Sequence, residues 1–140
     1  MSLDRFCRKT LITVKPDDPV QRATELMRDR HVGSVLVTDG DERPVGILTD
    51  RDVVCRVVAE KRDAGTTRVK QVMSEGVGVV RKTDLIDEAA LRMRQLGVRR
   101  MPVVDASGRA VGLITLDDLM VMLTGELVQT ATVIRSNRGP

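Results

Sequence analysis

The sequence predicts an α/β (α+β) fold made of two copies of one strand–helix–strand–strand–helix unit, and two observations predict it. First, the chain of 140 residues repeats itself: a shift of 66 residues lays Thr10–Val53 over Gly76–Leu119 without a gap. Val14 then meets Val80, Asp18 meets Asp84, Met27-Arg28 meets Met93-Arg94, and Val45, Gly46, Thr49 and Asp52 meet Val111, Gly112, Thr115 and Asp118. Second, the order of hydrophobic patterns is the same in each copy. A period of this size is too long for a solenoid repeat and long enough for one small α/β unit.

The elements follow in order. Leu11–Val14 reads as a short strand and Lys15–Pro19 as a turn, with Asp18 the expected N-cap and Pro19 the first helical residue. Val20, Ala23 and Met27 recur at helical spacing up to Arg30. Val32–Val37 is apolar and β-branched, hence a buried strand. It turns at Asp39-Gly40-Asp41 into a second strand, Pro44–Leu48. A helix from Thr49 carries Val53, Val54, Val57 and Val58. Arg62–Thr67 is a polar connection containing Gly65, and Val69–Met73 reads as one helical turn. The second copy repeats the order: strand Val77–Val80, a helix from Asp84, strand Arg99–Val104, a turn at Ala106-Ser107-Gly108, strand Ala110–Ile114, and a helix from Thr115 to Leu127. The reading divides the chain into a first repeat (7–61), a linker (62–72), a second repeat (73–127) and a polar, frayed tail (128–140). Met1-Ser2-Leu3, the kind of start that cloning leaves behind, is given no structural weight.

Composition narrows the function classes. A lone unit of about 60 residues is marginally stable, so the halves are expected to fold against each other as one body or around a shared core. Aromatic content is 1%, one Phe with no Trp or Tyr, so the core is aliphatic. The same lack speaks against a single-stranded nucleic-acid platform, which stacks bases on rings. The net charge of +3 is scattered; it tolerates an anionic ligand and does not call for nucleic acid. Cys7 and Cys55 have neither disulfide nor zinc spacing, and His31 is the only histidine. No apolar run approaches a membrane span, and the N-terminus has no signal-peptide stretch, so a soluble cytoplasmic protein is expected. Cys7 and Cys55 are read as packed apolar contacts, His31 as a turn residue, Asp50 and Arg51 as surface charges, and Asp117 as a charge at a helix N-terminus.

Each copy ends its last strand on one pattern: Gly46-Ile47-Leu48-Thr49-Asp50-Arg51-Asp52 and Gly112-Leu113-Ile114-Thr115-Leu116-Asp117-Asp118. Thr and Asp three residues apart at a strand-to-helix junction make a capping box, the Asp replacing the usual Glu or Gln. The same junction suits an anion, through backbone N–H groups and the positive end of the helix. The Asp carboxylate can accept from the cis hydroxyls of a ribose, and Gly46 and Gly112 allow close backbone approach.

The doubled unit, the two Gly-x-x-Thr-x-x-Asp endings and Gly97–Asp105 resemble a CBS domain pair, the Bateman module, over residues 7–124. The resemblance implies two βαββα repeats packed about a pseudo-twofold axis, with two clefts that bind adenosine-containing ligands. Carried over by residue, one cleft takes Thr49 and Asp52 with Gly76, Val77, Gly78, Arg99 and Arg100. The other takes Thr115 and Asp118 with Thr10–Thr13, Gly33 and Ser34. Arginine suits bidentate phosphate contact, so the cleft holding Arg99 and Arg100 is expected to be the tighter anion site.

The resemblance therefore implies a non-enzymatic sensor with no required cofactor and no catalytic or metal residues. Its candidate ligands are AMP, ADP, ATP, a NAD-type nucleotide or S-adenosylmethionine, and its effector is not legible. Two other classes compete: a metal-dependent nucleotide hydrolase using Asp50 and Asp52, told apart by ATP turnover with magnesium, and a nucleic-acid binder, told apart by a salt-dependent gel shift. The last helix, with Leu116, Leu119, Met120, Val121, Met122 and Leu123, is apolar on more than one face, and a homodimer through the terminal helices is expected.

Overall fold

A computed structural model describes residues 2–5 and 11–136. Cys7 and Thr10 fall outside the described residues. Each repeat forms one three-stranded sheet, β1-β2-β3 in the first and β4-β5-β6 in the second. β1 (Thr13–Val14) lies parallel to β2 (Ser34–Thr38), which runs antiparallel to β3 (Pro44–Thr49). β4 (Val80–Arg81), β5 (Arg100–Val104) and β6 (Ala110–Thr115) copy that arrangement. The register repeats as well: Val14 opposes Val37 and Val80 opposes Val103. Both antiparallel ladders shift at the same place, after Val37 and after Val103.

Helices α1 (Val20–Arg30) and α4 (Ile86–Leu96) cover the sheets. α1 buries Val20, Ala23 and Met27; α4 buries Ile86, Ala89 and Met93, the spacing expected of one apolar face. Both end on a left-handed residue, His31 at φ 54° and Gly97 at φ 65°. Neither starts on its aspartate. Asp18 accepts a hydrogen bond from the Lys15 N–H at 2.8 Å and Asp84 accepts from the Arg81 N–H at 2.8 Å. The carboxylates thus close the turn before the helix, the caps are Pro19 and Leu85, and Glu88 satisfies the Leu85 N–H at 2.8 Å. Competition between a turn and a cap for one short carboxylate is a local choice that spacing alone does not decide.

The first strands are shorter than the apolar runs suggested. Pairing gives two residues each, Thr13–Val14 and Val80–Arg81, because a single parallel neighbour holds them. At the other end of the repeat, α2 (Asp50–Val53) passes into a π-helical stretch, Val54–Val58. Val57 is buried there, while Val54 and Val58 are exposed. The last helix, α5, is longer than expected: Leu116–Ser136, not ending at Leu127. Residues 128–136 are therefore helical rather than frayed. Thr130 and Thr132 donate to the carbonyls of Glu126 and Val128, so their hydroxyls turn onto the helix instead of competing with it.

The two repeats do not share one core. Each has its own cluster of buried aliphatic residues, and each cluster is completed by a segment from outside its repeat. Leu3, on a short 3₁₀ turn (Leu3–Arg5), is fully buried with Val80, Ile86, Met101 and Leu119 of the second repeat. Val69 and Val72, on α3 (Val69–Val72), are buried with Val14, Val20, Val35 and Leu48 of the first. The exchange is symmetric to the residue. Ser2 bridges Leu85 and Arg68 bridges Pro19; the Leu3 N–H donates to the Asp84 carbonyl at 3.1 Å, and the Val69 N–H to that of Asp18 at 2.9 Å. The start of the chain, given no structural weight from the sequence, thus supplies a core residue in Leu3. The repeats also touch through the turns after β2 and β5, where the Ala110 N–H donates to the Glu42 carbonyl at 2.9 Å.

Leu3→Ala is expected to lower unfolding free energy by about 2–5 kcal/mol, the range for a buried leucine, whereas truncating an uninvolved surface residue stays within about 0.5 kcal/mol. Urea denaturation followed by circular dichroism measures it. Gly46→Ala is expected to cost about 1–3 kcal/mol in the same assay, because a Cβ there would stand 2.5 Å from Met73 Sδ and 3.0 Å from the Ser74 carbonyl.

Candidate functional site

Both strand-to-helix junctions form reciprocal caps. Thr49 Oγ1 accepts from the Asp52 N–H at 3.1 Å, and Asp52 Oδ2 accepts from the Thr49 N–H at 3.0 Å. In the second copy the Asp118 N–H donates to Thr115 Oγ1 at 3.2 Å, and Asp118 Oδ2 accepts the Thr115 N–H at 2.9 Å and hydroxyl at 2.9 Å. Each threonine and aspartate is half-buried and locked. The capping reading of the repeated pattern therefore holds in both copies.

Around these caps the two junctions differ. At the start of α2 four backbone donors have partners within the chain. Besides Thr49 and Asp52, the Asp50 N–H donates to the Gly33 carbonyl at 3.0 Å and the Arg51 N–H to Asp50 Oδ1 at 2.8 Å. The Asp50 carboxylate also lies over Gly33, where a Cβ would come within 3.2 Å of Oδ2. At the start of α5 the Leu116 N–H donates to the Arg99 carbonyl at 2.8 Å, the counterpart of the Asp50 bond. Leu116 stands where Asp50 stands, so no carboxylate folds back on that turn. The carboxylates of the second helix start are the capping Asp118 and Asp117, the latter one residue further along than Asp50.

A cavity of about 320 Å³ opens at the second junction, where both repeats meet. Leu11, Ile12, Gly33 and Ser34 come to it from the first repeat, and Leu113, Thr115 and Asp117 from the second. The pairing of Thr115 with Leu11–Ile12, Gly33 and Ser34 expected from the sequence is thus present in space. Arg100 lines the same cavity. The sequence reading gave Arg100 to the Thr49 cleft; in the β5–β6 ladder it is the direct partner of Thr115, as Ser34 is of Thr49 in the first repeat. Arg99 is exposed, and its carbonyl is spent on the α5 cap.

His31 also lines this cavity, a placement that its reading as a turn residue did not include. Its left-handed backbone at the end of α1 turns the chain into β2, and that turn delivers it to the cleft. The signal in the sequence was its register two residues before Gly33. A second cavity of about 230 Å³ shares Leu11 and adds Thr13, Lys15, Glu42 and Ala110. Lys15 Nζ is held there by Thr38 Oγ1 at 3.1 Å and the Asp39 carbonyl at 2.7 Å.

On the opposite side the glycines serve packing. Gly46 makes room for Met73 and Ser74, and Ser74 pairs with Ile47 in both directions, at 2.9 and 3.1 Å. Gly78 makes room for Leu96 and Met101. Gly76 is exposed, with a φ of 65°. The close approach that Gly46 permits is by the protein's own chain. Cys55 is exposed on the π-helical stretch rather than packed. Among the described residues no cluster of three or more His, Cys, Asp or Glu side chains could hold a metal ion, and no helix is long and apolar enough to cross a membrane.

Comparison with known proteins agrees with this architecture. The chain is 37% identical over 118 residues to an inosine-5'-monophosphate dehydrogenase of Methanocaldococcus jannaschii, a match covering 84% of this chain and 22% of that one. The chain spans 61% and 22% of the length of the first two curated relatives it matches. Its structure superimposes on a CBS-domain protein of Burkholderia ambifaria with a TM-score of 0.72 at 36% identity, covering 82% of this chain and 83% of that one. It also superimposes on a CBS domain pair solved with 5'-methylthioadenosine and S-adenosyl-L-methionine, with a TM-score of 0.77 at 21% identity, covering 90% and 98%. The family model described as CBS domain matches residues 3–59 and again 69–125, the same 66-residue shift that the sequence shows. The chain therefore belongs to the CBS domain family and carries two copies of the domain.

Proposed function

We propose that the chain is a regulatory sensor that binds a phosphorylated adenosine in the cleft at Thr115. The observation that carries this reading is one cavity joining a strand-to-helix cap, the start of a long helix and the Arg100 guanidinium. In this reading the phosphate lies against Arg100 and the N-terminus of α5, where charge-assisted hydrogen bonds and the helix dipole act together. Asp118 accepts from the ribose. The base lies between the Leu11–Ile12 edge and Leu113, an apolar slot of the kind that takes a flat ring. A CBS pair of the same fold was solved with 5'-methylthioadenosine and S-adenosyl-L-methionine, which supports an adenosine ligand class.

The Thr49 cleft becomes the weaker anion site in this proposal, the reverse of the expectation drawn from the sequence. In this reading Arg100 serves the Thr115 cleft, while at the Thr49 junction the Asp50 carboxylate turns back on the start of its own helix. The sensor is non-catalytic in this reading. The carboxylates that a hydrolase would use are committed elsewhere: Asp50 turns back on its own helix, and Asp52 is tied into the cap with Arg56 3.9 Å away. A place in the cytoplasm and a small-molecule effector without nucleic acid complete the reading.

AMP, ADP or ATP at a hundred times its dissociation constant is expected to stabilise the protein by about 2.7 kcal/mol, read as a rise in Tm. Absence of any rise with millimolar adenine nucleotides would overturn the reading. Arg100→Ala is expected to weaken nucleotide binding by about 1.5–3 kcal/mol, or about 10- to 150-fold, with little change in Tm of the free protein. Isothermal titration measures the loss; unchanged affinity would remove Arg100 from the site. AMP is expected to bind more tightly than 5'-methylthioadenosine, because only AMP presents a phosphate to Arg100.

A further inference from the structure

The fixed charges of the Thr115 cleft nearly cancel. Its lining holds Arg100, from the second repeat, and Asp117, from the start of α5. One positive and one negative side chain offset each other, so the arginine alone gives a dianion little net attraction. A third ionisable group lines the same space: His31, from the first repeat. It is the only histidine of the chain.

Local structure puts it there. α1 ends on His31, whose backbone is left-handed at φ 54°, and Gly97 holds the same place in the second repeat. Histidine is among the few side chains that accept this conformation. The turn leads the chain into β2 and leaves His31 exposed on the cavity wall. Among the described residues its imidazole has no hydrogen bond and no ion pair. The half-buried Arg100 guanidinium is equally unengaged and forms no ion pair with Asp117. Lys15, by contrast, is held by Thr38 and the Asp39 carbonyl. Two uncommitted nitrogen donors from opposite repeats thus share one cavity.

The other charges about His31 come from its own helix and from α2. Arg28 is bonded to Asp29 at 2.8 Å. That bond chiefly holds the Asp29 carboxyl below its usual range, with Arg30 and His31 adding to it. The Asp50 carboxylate lies over Gly33, two residues along. With Arg28 and Asp29 closed on each other, Arg30 and Arg100 are matched by Asp50 and Asp117, and Asp118 completes the Thr115 cap. Further positive charge in the cleft has one source, a protonated imidazole.

We propose that His31 is a phosphate-binding residue of the Thr115 cleft: its imidazole takes up a proton from solvent when a nucleotide binds and, with Arg100, holds the phosphate from both repeats. The assignment rests on the sensor reading and makes that sensor respond to pH as well as to nucleotide. The sign follows from linkage. A dianionic phosphate favours the charged imidazole, so the imidazole holds its proton to higher pH in the complex than in the free protein. The added affinity is full below the free midpoint and is lost as pH rises through the midpoint of the complex. A phosphate monoester loses its own second charge below about pH 6, so the effect is concentrated between about pH 6 and pH 7.

A single histidine makes the test direct. In proton NMR of the full chain the imidazole gives one titration curve. AMP is expected to raise its midpoint by about one pH unit, the effect of one close opposite charge. Saturating 5'-methylthioadenosine, which carries base and ribose without phosphate, is expected to leave the midpoint in place. In isothermal titration the ratio of AMP affinity at pH 6 to that at pH 8 is expected to be about three- to tenfold larger in the wild type than in His31→Asn. Asparagine accepts the left-handed backbone, so the helix end is kept, and an unchanged circular dichroism spectrum checks it. AMP that binds without moving the midpoint, an equal movement with 5'-methylthioadenosine, or a pH ratio indifferent to the substitution would each overturn the role of His31 and leave the sensor reading standing. Absence of AMP binding at both pH values would overturn the sensor reading, and the role of His31 with it.

Discussion

The structure depends on an exchange of short segments between its two halves. A CBS repeat of this chain does not close its own core: Leu3 fills the second repeat, and Val69 and Val72 fill the first. Each inserted segment is held by the same pair of devices, an isolated bridge to the residue before a helix and an N–H bond to the preceding carbonyl. This explains how two aliphatic units, each too small to be robust alone, yield a fixed relative placement. It also fixes the cleft. Leu11 and Ile12 sit opposite Leu113 and Thr115 in a segment anchored before them by Leu3 in one core and after them by Val14 in the other.

Much of this was legible in the sequence, and the reason is physical. The 66-residue self-match reports a unit whose hydrophobic positions are fixed by period, so strand order, helix faces and both Thr–Asp caps could be read from one copy and checked on the other. The exchange itself was not legible. Leu3 sits in a segment with no periodic pattern, and a single buried leucine gives no signal until the residue it packs against is known. Yet Leu3 and Val69 stand 66 residues apart, so the register of the repeat contained the hint.

The placement of the arginines was less legible, for a different reason. Sequence register placed Arg99 and Arg100 at the start of a strand and said nothing of the face each presents. Arg100 opens β5 and pairs with Thr115 on β6, while Arg99 lies before the strand and accepts the Leu116 N–H on its carbonyl. The backbone N–H groups at both helix starts were read from the motif alone as suiting an anion. Asp50 closes one of them, and only a side-chain position reveals that. The frayed tail failed through composition: threonines scattered through residues 124–132 look like loop formers, but in a helix their hydroxyls can bond the carbonyl four residues back, as Thr124, Thr130 and Thr132 do.

Duplication supplied two equivalent junctions, and their divergence separates their roles. In the first repeat, Asp50 turns back on its helix start, the terminal helix is short and passes into a π-helical stretch, and Gly46 admits Met73 and Ser74. In the second, leucine replaces that aspartate, Arg100 faces the cavity, and the terminal helix runs on for 21 residues. These differences all favour one end of the molecule. The residue that stands at the Asp50 position, Leu116, is half-buried against the core of the second repeat. A leucine there ties the start of α5 to its own core, where the aspartate of the first repeat turns back on its own helix. A change there to aspartate would remove that core contact and place a carboxylate at the start of α5, as Asp50 does at the start of α2.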